Sequence, residues 1–294
     1  MREDSREDVL KALIENARRQ SDERRADIEQ LGPVKSFGGK FIPAYAPYIG
    51  EEYFRIAKDQ RIMAYAMSQN LHQRSELAER WASGDWSEGL DRQNRGYASN
   101  DSWAQMQPFD TGHIPILASM LRRLVSGRNP NDDESIYPAI AATNLSKFSF
   151  RSADGRRTCD SVESFNCCWQ WFSKREVELL EPSYILCCGK EVYRTGQKGI
   201  SSVAGELPTV PVVIRIAFPS LQVINSQHRK PPRGWIPSAE EIKEMVATKD
   251  RQIDVRHNRT VGTIIDRDKW YFGKMFVKMK SSLAREDGRD VRKP

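Results

Sequence analysis

Four short runs of apolar residues constrain the fold of this chain more than any other feature of its sequence. Each run has the length of a strand that is buried on both faces, and the runs are Ile62–Met67, Ala139–Thr143, Tyr184–Cys188 and Val212–Ala217. Helical patterns over Ile116–Val125 and Cys167–Leu180 separate the first three runs. Strands that alternate with helices predict an α/β fold, a three-layer α/β/α sandwich with a central, mainly parallel four-stranded sheet.

The strand-like runs define a core domain over residues 59–236, with an insertion at 75–106 that is rich in Trp and polar residues. Residues 1–58 are expected to be an N-terminal extension of helix and loop, in which apolar positions at helical spacing predict a helix over 6–31. Residues 237–294 are expected to be a helical, basic C-terminal extension. Its first helix begins at Ser238, which forms a capping box with Glu241.

Charge and cysteine content restrict the partners and the compartment. The chain has 46 Lys and Arg against 40 Asp and Glu, and the net charge of +6 permits a nucleic-acid partner without requiring one. The five cysteines include two adjacent pairs and no Cys-x-x-Cys motif, which indicates reduced thiols in the cytoplasm. The charged N-terminus predicts no signal peptide, and no apolar run is long enough to span a membrane.

Short polar motifs lie at the ends of the predicted strands, where parallel α/β proteins carry function. In chain order they are Ser68-Gln69-Asn70-Leu71-His72, Pro108-Phe109 before a helix, Thr143-Asn144-Leu145-Ser146-Lys147, and Leu180-Glu181-Pro182 before a strand that Gly189 closes. In this order, over about residues 60–230, the motifs resemble those of the uracil-DNA glycosylase superfamily, and most closely its iron–sulfur branch. The resemblance implies a protein that binds DNA and excises a base from it.

The resemblance also implies roles for individual residues. Asn70 matches the position that holds the attacking water, within a motif that includes Ser68 and Gln69. Phe109 matches the aromatic residue that stacks on the flipped base, and Asn144 matches the side chain that reads the edge of the base. The plainer alternatives are that Asn70 caps a helix, that Phe109 belongs to the core and that Asn144 is a turn residue.

The second catalytic motif of the family, His-Pro-Ser, has two candidate positions. Phe218-Pro219-Ser220 lacks the histidine, whereas the loop after Leu221–Ile224 contains His228, which could stabilise the departing base. Cations and an aromatic residue follow His228, and they suit contact with phosphates and a wedge at the vacated position. The residues expected to contact DNA are Lys147, Arg229, Lys230, Arg233 and Trp235.

Two departures from the family bear on cofactor and substrate. Phe148 stands where a cluster cysteine is expected and the first 158 residues contain no Cys, so we expect no iron–sulfur cluster, metal or other cofactor. His72 replaces the tyrosine that excludes substituents at pyrimidine C5. The sequence therefore predicts a monofunctional, monomeric glycosylase for uracil or a 5-modified pyrimidine such as a hypermodified phage base, acting in DNA repair or anti-phage defence. The alternative is a module that binds DNA or a nucleobase on the same fold without excision.

Overall fold

The computed structural model describes residues 6–35, 47–68, 113–126, 136, 139–148, 161–217, 236–246 and 261–286. Its centre is one sheet of five strands, in the order β1-β3-β2-β4-β5. The strands are β1 (Tyr48–Ile49), β2 (Ile62–Ser68), β3 (Ile140–Ser146), β4 (Tyr184–Cys188) and β5 (Val212–Ile216). Strands β2 to β5 pair in parallel and confirm the predicted parallel sheet, while β1 adds a fifth, antiparallel strand at the edge beside β3.

Side chains from alternate positions of the strands form two hydrophobic clusters, one on each face of the sheet. In β4, Leu186 and Cys188 belong to one cluster, whereas Ile185 and Cys187 belong to the other. This period of two is the geometry of an extended strand, and strands that are apolar at both positions must be covered on both faces. The three-layer α/β/α architecture predicted from the sequence is thereby confirmed.

The helices divide between the two faces. One face is covered by α4 (His113–Ser126), α8 (Ala239–Met245) and α9 (Val261–Glu286). The other is covered by α1 (Arg6–Glu23), α5 (Val162–Cys168), a π-helical turn (Trp169–Ser173), α6 (Lys174–Leu180) and α7 (Lys190–Val203). Two short helices, α2 (Arg25–Gln30) and α3 (Gly32–Lys35), follow α1. Helices of both predicted extensions therefore pack directly on the sheet.

The start of α8 confirms the predicted capping box. The Ser238 hydroxyl accepts a hydrogen bond from the backbone N–H of Glu241 at 3.1 Å, and the Glu241 carboxylate accepts one from the N–H of Ser238 at 2.6 Å. Two of the N–H groups that lack helical partners at this end are thereby satisfied, which explains why the helix begins directly after Ser238.

A close approach between α7 and the π-helical turn depends on a glycine. A Cβ atom at Gly199 would lie 2.0 Å from Cε2 of the Trp169 indole, and Trp169 is buried. The helix therefore packs its bare backbone directly against the ring. Trp169 is the first residue of the π-helical turn, so the close contact joins the start of this turn to α7.

Replacing Gly199 by Ala is expected to lower the free energy of unfolding by about 1–3 kcal/mol, because the overpacking outweighs the better helix propensity of Ala. Gly205 is the matched control, since a Cβ there would meet no atom within 4 Å. Gly205→Ala is expected to leave stability unchanged or to raise it by about 0.4–1 kcal/mol. Equal urea midpoints for the two variants would contradict the close approach.

Candidate functional site

The two central strands of the sheet end at a topological switch point. The helix after β2, α4, lies on one face of the sheet, and the helix after β4, α7, lies on the other. Parallel strands whose connections leave to opposite faces open a crevice beyond their C-terminal ends, and doubly wound proteins bind ligands there. β2 ends at Ser68, and Gly189 directly follows β4. This crevice is the candidate functional site.

Gly189 shapes one side of the crevice. Its φ of 113° lies in a region that glycine adopts far more readily than other residues, and its N–H donates to the carbonyl oxygen of Ile216 at 2.9 Å. The side chain of Met67 lies 3.7 Å from the position that a Cβ on Gly189 would take. This turn allows α7 to begin at Lys190, immediately after the strand. The first N–H groups of α7 consequently lie at the C-terminal edge of the sheet, where they favour a negatively charged group.

Asn144 lies on β3, the strand that pairs with β2. β2 and β3 pair with Ala66 opposite Asn144 and Ser68 opposite Ser146. Asn144 is only 2% exposed. Because the next residue, Leu145, packs in the cluster on the α7 face, the alternation of the strand directs the Asn144 side chain to the α4 face.

A buried polar network lies on the α7 side of the same strands. The Lys147 ammonium donates to Oε1 of Glu176 and to Oγ1 of Thr143, each at 2.6 Å. The Tyr65 hydroxyl donates to the other carboxylate oxygen of Glu176 at 2.9 Å. Burial lowers the pKa of Lys147, and the Glu176 carboxylate opposes that shift. Burial, assisted by Glu176, raises the pKa of Tyr65 well above its usual value. The network ties the end of β3 to α6.

This network corrects the prediction that Lys147 contacts DNA. The side chain is 2% exposed, and its ammonium is engaged by Glu176 and Thr143. A lysine at the end of a strand reaches a phosphate only from the surface, whereas this one points into the layer between β3 and α6. Sequence reasoning missed Glu176 as its partner, because the two residues are 29 positions apart and no local pattern links them.

The structure describes three of the predicted site residues. Ser68 is the last residue of β2, Asn144 lies on the neighbouring strand, and Lys147 is buried as stated above. The parallel register brings Ser68 and Asn144 to the same edge of the sheet. The other predicted residues lie outside the described part of the chain: Gln69, Asn70, His72, Phe109, His228, Arg229, Lys230, Arg233 and Trp235.

The described cysteines carry free thiols. Cys187 and Cys188 are buried on opposite faces of β4, as expected for residues that fill a strand. Burial raises the pKa of both thiols, so neither has the thiolate character of a nucleophile. Within the described ranges, no three His, Cys, Asp or Glu side chains converge as metal ligands.

The sheet order and the crevice define a doubly wound, mainly parallel α/β protein. Comparison of the chain with protein-family models, with curated proteins and with solved structures gave no match. None of the helices in the described ranges has the length and apolar character needed to cross a membrane.

Proposed function

We propose that this protein is a monofunctional DNA glycosylase, which extrudes a pyrimidine from DNA and hydrolyses its N-glycosidic bond at the crevice beyond β2 and β4. The observation that carries the proposal is the register of β2 against β3. The sequence indicated two separate elements of such a site, the water-positioning segment 68–72 and Asn144. Strand β2, which ends at Ser68 where the first element begins, pairs with β3, the strand that holds Asn144, and β2 itself borders the switch point of the sheet.

Recognition of the base is assigned to Asn144 and Phe109. The amide of Asn144 offers a donor and an acceptor, which together match the N3 and O4 or N4 edge of a pyrimidine. Phe109 replaces the stacking that the base loses when it leaves the duplex.

The chemical step is assigned to a water held by Asn70. Attack of this water at the anomeric carbon proceeds through an oxocarbenium-like transition state, in which negative charge develops on the departing base. The N-terminus of α7 favours negative charge at the crevice, and His228 is the predicted side chain for the leaving base. The proposed substrates are uracil and 5-modified pyrimidines, since His72 stands where a tyrosine would exclude C5 substituents. The proposed roles are DNA repair or defence against phage with modified DNA.

A module that binds DNA without excision is the second candidate function. The observation that favours it is the segment Phe218-Pro219-Ser220, which lacks the histidine of the family motif. The two functions differ in their product. A glycosylase leaves an abasic site that alkali cleaves, whereas a binding module leaves the DNA intact.

Replacement of Arg229 and Lys230 by Ala is expected to flatten the salt dependence of DNA binding. Each cation that contacts a phosphate releases about one counterion, so the slope of log K against log salt should fall by about two in the double variant. Fluorescence anisotropy with a labelled oligonucleotide between roughly 50 and 200 mM salt measures this slope.

The control variant is Lys58→Ala/Lys174→Ala. It removes two positive charges, as the Arg229→Ala/Lys230→Ala variant does. Lys58 precedes β2 and pairs with Glu181, which precedes β4, so Lys58 lies at the opposite edge of the sheet. Lys174 pairs with Glu206 beyond the far end of α7. This double variant is expected to keep the wild-type slope. If the control flattens the slope while Arg229→Ala/Lys230→Ala does not, the DNA lies elsewhere.

A further inference from the structure

The larger, C-terminal part of α9 carries an excess of positive charge. Residues 269–285 include five Lys and Arg and no Asp or Glu. The large apolar residues of this stretch lie mostly against the sheet, where Tyr271, Phe272, Met275 and Met279 are buried in the cluster of that face. The helix therefore presents cations to the surface without carboxylates of its own to balance them.

Three of these cations line up along one side of the helix. Lys274, Lys278 and Arg285 follow one another at spacings of four and seven residues, which bring side chains to the same side of an α-helix. At a rise of about 1.5 Å per residue, the line from Lys274 to Arg285 spans about 16 Å. Lys278 and Arg285 are exposed, and Lys274 is partly buried.

Arg215 on β5 adds a fourth cation to this line. β5 is an edge strand in the order of the sheet, α9 packs against it, and Arg215 is exposed. Burial lowers the pKa of Lys278, and the neighbouring cations Arg215 and Lys274 lower it further. Within the described ranges, no ion pair joins Arg215 or Lys278 to a carboxylate. We refer to Arg215, Lys274, Lys278 and Arg285 as the basic patch.

The grouping of these cations is unfavourable for folding. Like charges four residues apart on a helix, as at Lys274 and Lys278, destabilise the helix, and Arg215 adds repulsion from a second element. Binding of an anionic partner would turn this repulsion into attraction. The charge of the basic patch therefore indicates a polyanion as its partner.

The basic patch begins at the edge of the sheet where the crevice opens. Ala217 directly follows β5, and its carbonyl oxygen accepts a hydrogen bond from the Tyr271 hydroxyl at 2.7 Å. Ile236 also contacts α9, since a Cβ on Gly273 would lie 3.0 Å from Cβ of Ile236. Ala217 and Ile236 flank segment 218–235, which contains most of the residues predicted to contact DNA. Both ends of that segment therefore meet α9 beside the basic patch.

We propose that the basic patch binds the phosphate backbone of DNA and extends the DNA contact from the crevice along α9. The inference rests on the DNA binding of the proposed function, but it does not depend on excision. A line of cations matches a linear polyanion, whose phosphates repeat about every 3.4 Å along each strand. Lys and Arg contacts of this kind position a protein on DNA without reading its sequence.

An anionic membrane surface matches the basic patch less well. Helices that lie on membranes insert an apolar face between the lipids. The apolar face of α9 is instead occupied by the sheet, and Val277 is the one large apolar residue of the described helix that is listed as exposed on its surface. The observations therefore favour DNA.

The test neutralises three cations of the patch in the variant Arg215→Gln/Lys274→Gln/Lys278→Gln. Fluorescence anisotropy measures its binding to single- and double-stranded oligonucleotides as the salt concentration is varied. The slope of log K against log salt is expected to fall by about two to three, and the affinity at roughly 100 mM salt by about 10-fold or more. The melting temperature is expected to stay equal or to rise, because the substitutions relieve repulsion. If the triple variant does not fold, Lys278→Gln alone must lower the slope by about one.

The control variant Lys11→Gln/Arg19→Gln/Lys174→Gln also removes three positive charges. Lys11 and Arg19 lie on α1 and Lys174 begins α6, and both helices cover the other face of the sheet. This variant is expected to keep the wild-type slope. An equal fall of the slope in both triple variants would assign the effect to net charge and overturn the role of the patch.

Three further results would overturn the inference. The first is a folded patch variant that binds DNA with the wild-type slope. The second is a patch variant that aggregates but keeps its DNA affinity, because the cations would then protect the edge strand β5 from pairing. The third is an unchanged DNA slope together with lost binding to vesicles that contain phosphatidylserine.

Excision measured on the same preparations separates this inference from the proposed function. If the wild-type protein excises a base and the patch variant keeps the wild-type slope, the inference fails and the proposed function stands. If the wild-type protein binds DNA without excising any base, the proposed glycosylase function fails. A reduced slope of the patch variant would in that case still support the basic patch as a DNA-binding surface.

Discussion

Replacing Lys147 by Met is expected to lower the free energy of unfolding by about 3–5 kcal/mol. The substitution keeps an unbranched apolar side chain in place but leaves the Glu176 carboxylate buried with its partner ammonium gone. The structure describes two hydrogen bonds to this carboxylate, from Lys147 and from the Tyr65 hydroxyl, and only the one from Tyr65 would then remain. Urea unfolding followed by circular dichroism measures the change.

The double variant Lys147→Met/Glu176→Leu separates two contributions to the free energy of unfolding: the stabilisation by the ion pair, and the destabilisation by a buried charge without its partner. Buried ion pairs are often replaced by apolar residues of similar size with little loss, because both charges avoid desolvation. The double variant is therefore expected to lie closer to wild type than the single variant does. If Lys147→Met were as stable as wild type and instead weakened DNA binding, Lys147 would belong to the surface.

Replacing Asn70 by Ala is expected to lower single-turnover excision by about 10²–10⁴-fold while DNA affinity stays near the wild-type value. The change removes the group that positions the water and leaves the binding surface intact. Asn166→Ala is a suitable control, because Asn166 is exposed on α5 and is expected to keep full activity. A destabilised but fully active Asn70→Ala protein would make Asn70 a helix cap and remove it from the mechanism.

Phe109→Ala is expected to lower both DNA affinity and excision rate, whereas Asn70→Ala lowers mainly the rate. Loss of a stacking surface for the flipped base is expected to cost about 1–3 kcal/mol, in binding as well as in rate. A core phenylalanine would instead cost about 3–5 kcal/mol of folding stability, with activity following the folded fraction. Melting temperature, affinity and rate measured on one preparation distinguish these outcomes.

The parallel strands could be predicted from the sequence because their signal is local. A strand buried on both faces is a continuous apolar run, and Tyr184–Cys188 coincides with β4. β3 extends three residues beyond its predicted end, since pairing with β2 continues through polar Asn144 and Ser146. β1 was missed because two residues in a segment rich in Gly and Pro carry no periodicity. The helix α7 was not predicted either; Gly196 and Gly199 weaken its pattern, and at Gly199 the reason is contact with Trp169.

The candidate site was predictable only in part. Asn144 could be placed at a strand end, because a change from apolar to polar residues marks that end. The partner of Lys147 could not be predicted, because Glu176 comes from a distant helix that tertiary packing brings close. For the same reason Lys147 was wrongly expected at the surface. A buried ion pair is created by two elements together, and neither element alone indicates it.

Release of a free base by the wild-type protein tests the central claim most directly. Single- and double-stranded oligonucleotides, each with one uracil or one 5-substituted pyrimidine, are incubated with excess protein and then treated with hot alkali. We predict protein-dependent cleavage at the position of at least one such base, greatly reduced with Asn70→Ala protein. DNA that stays intact across the whole panel, although the protein binds it, would contradict excision and favour the binding module.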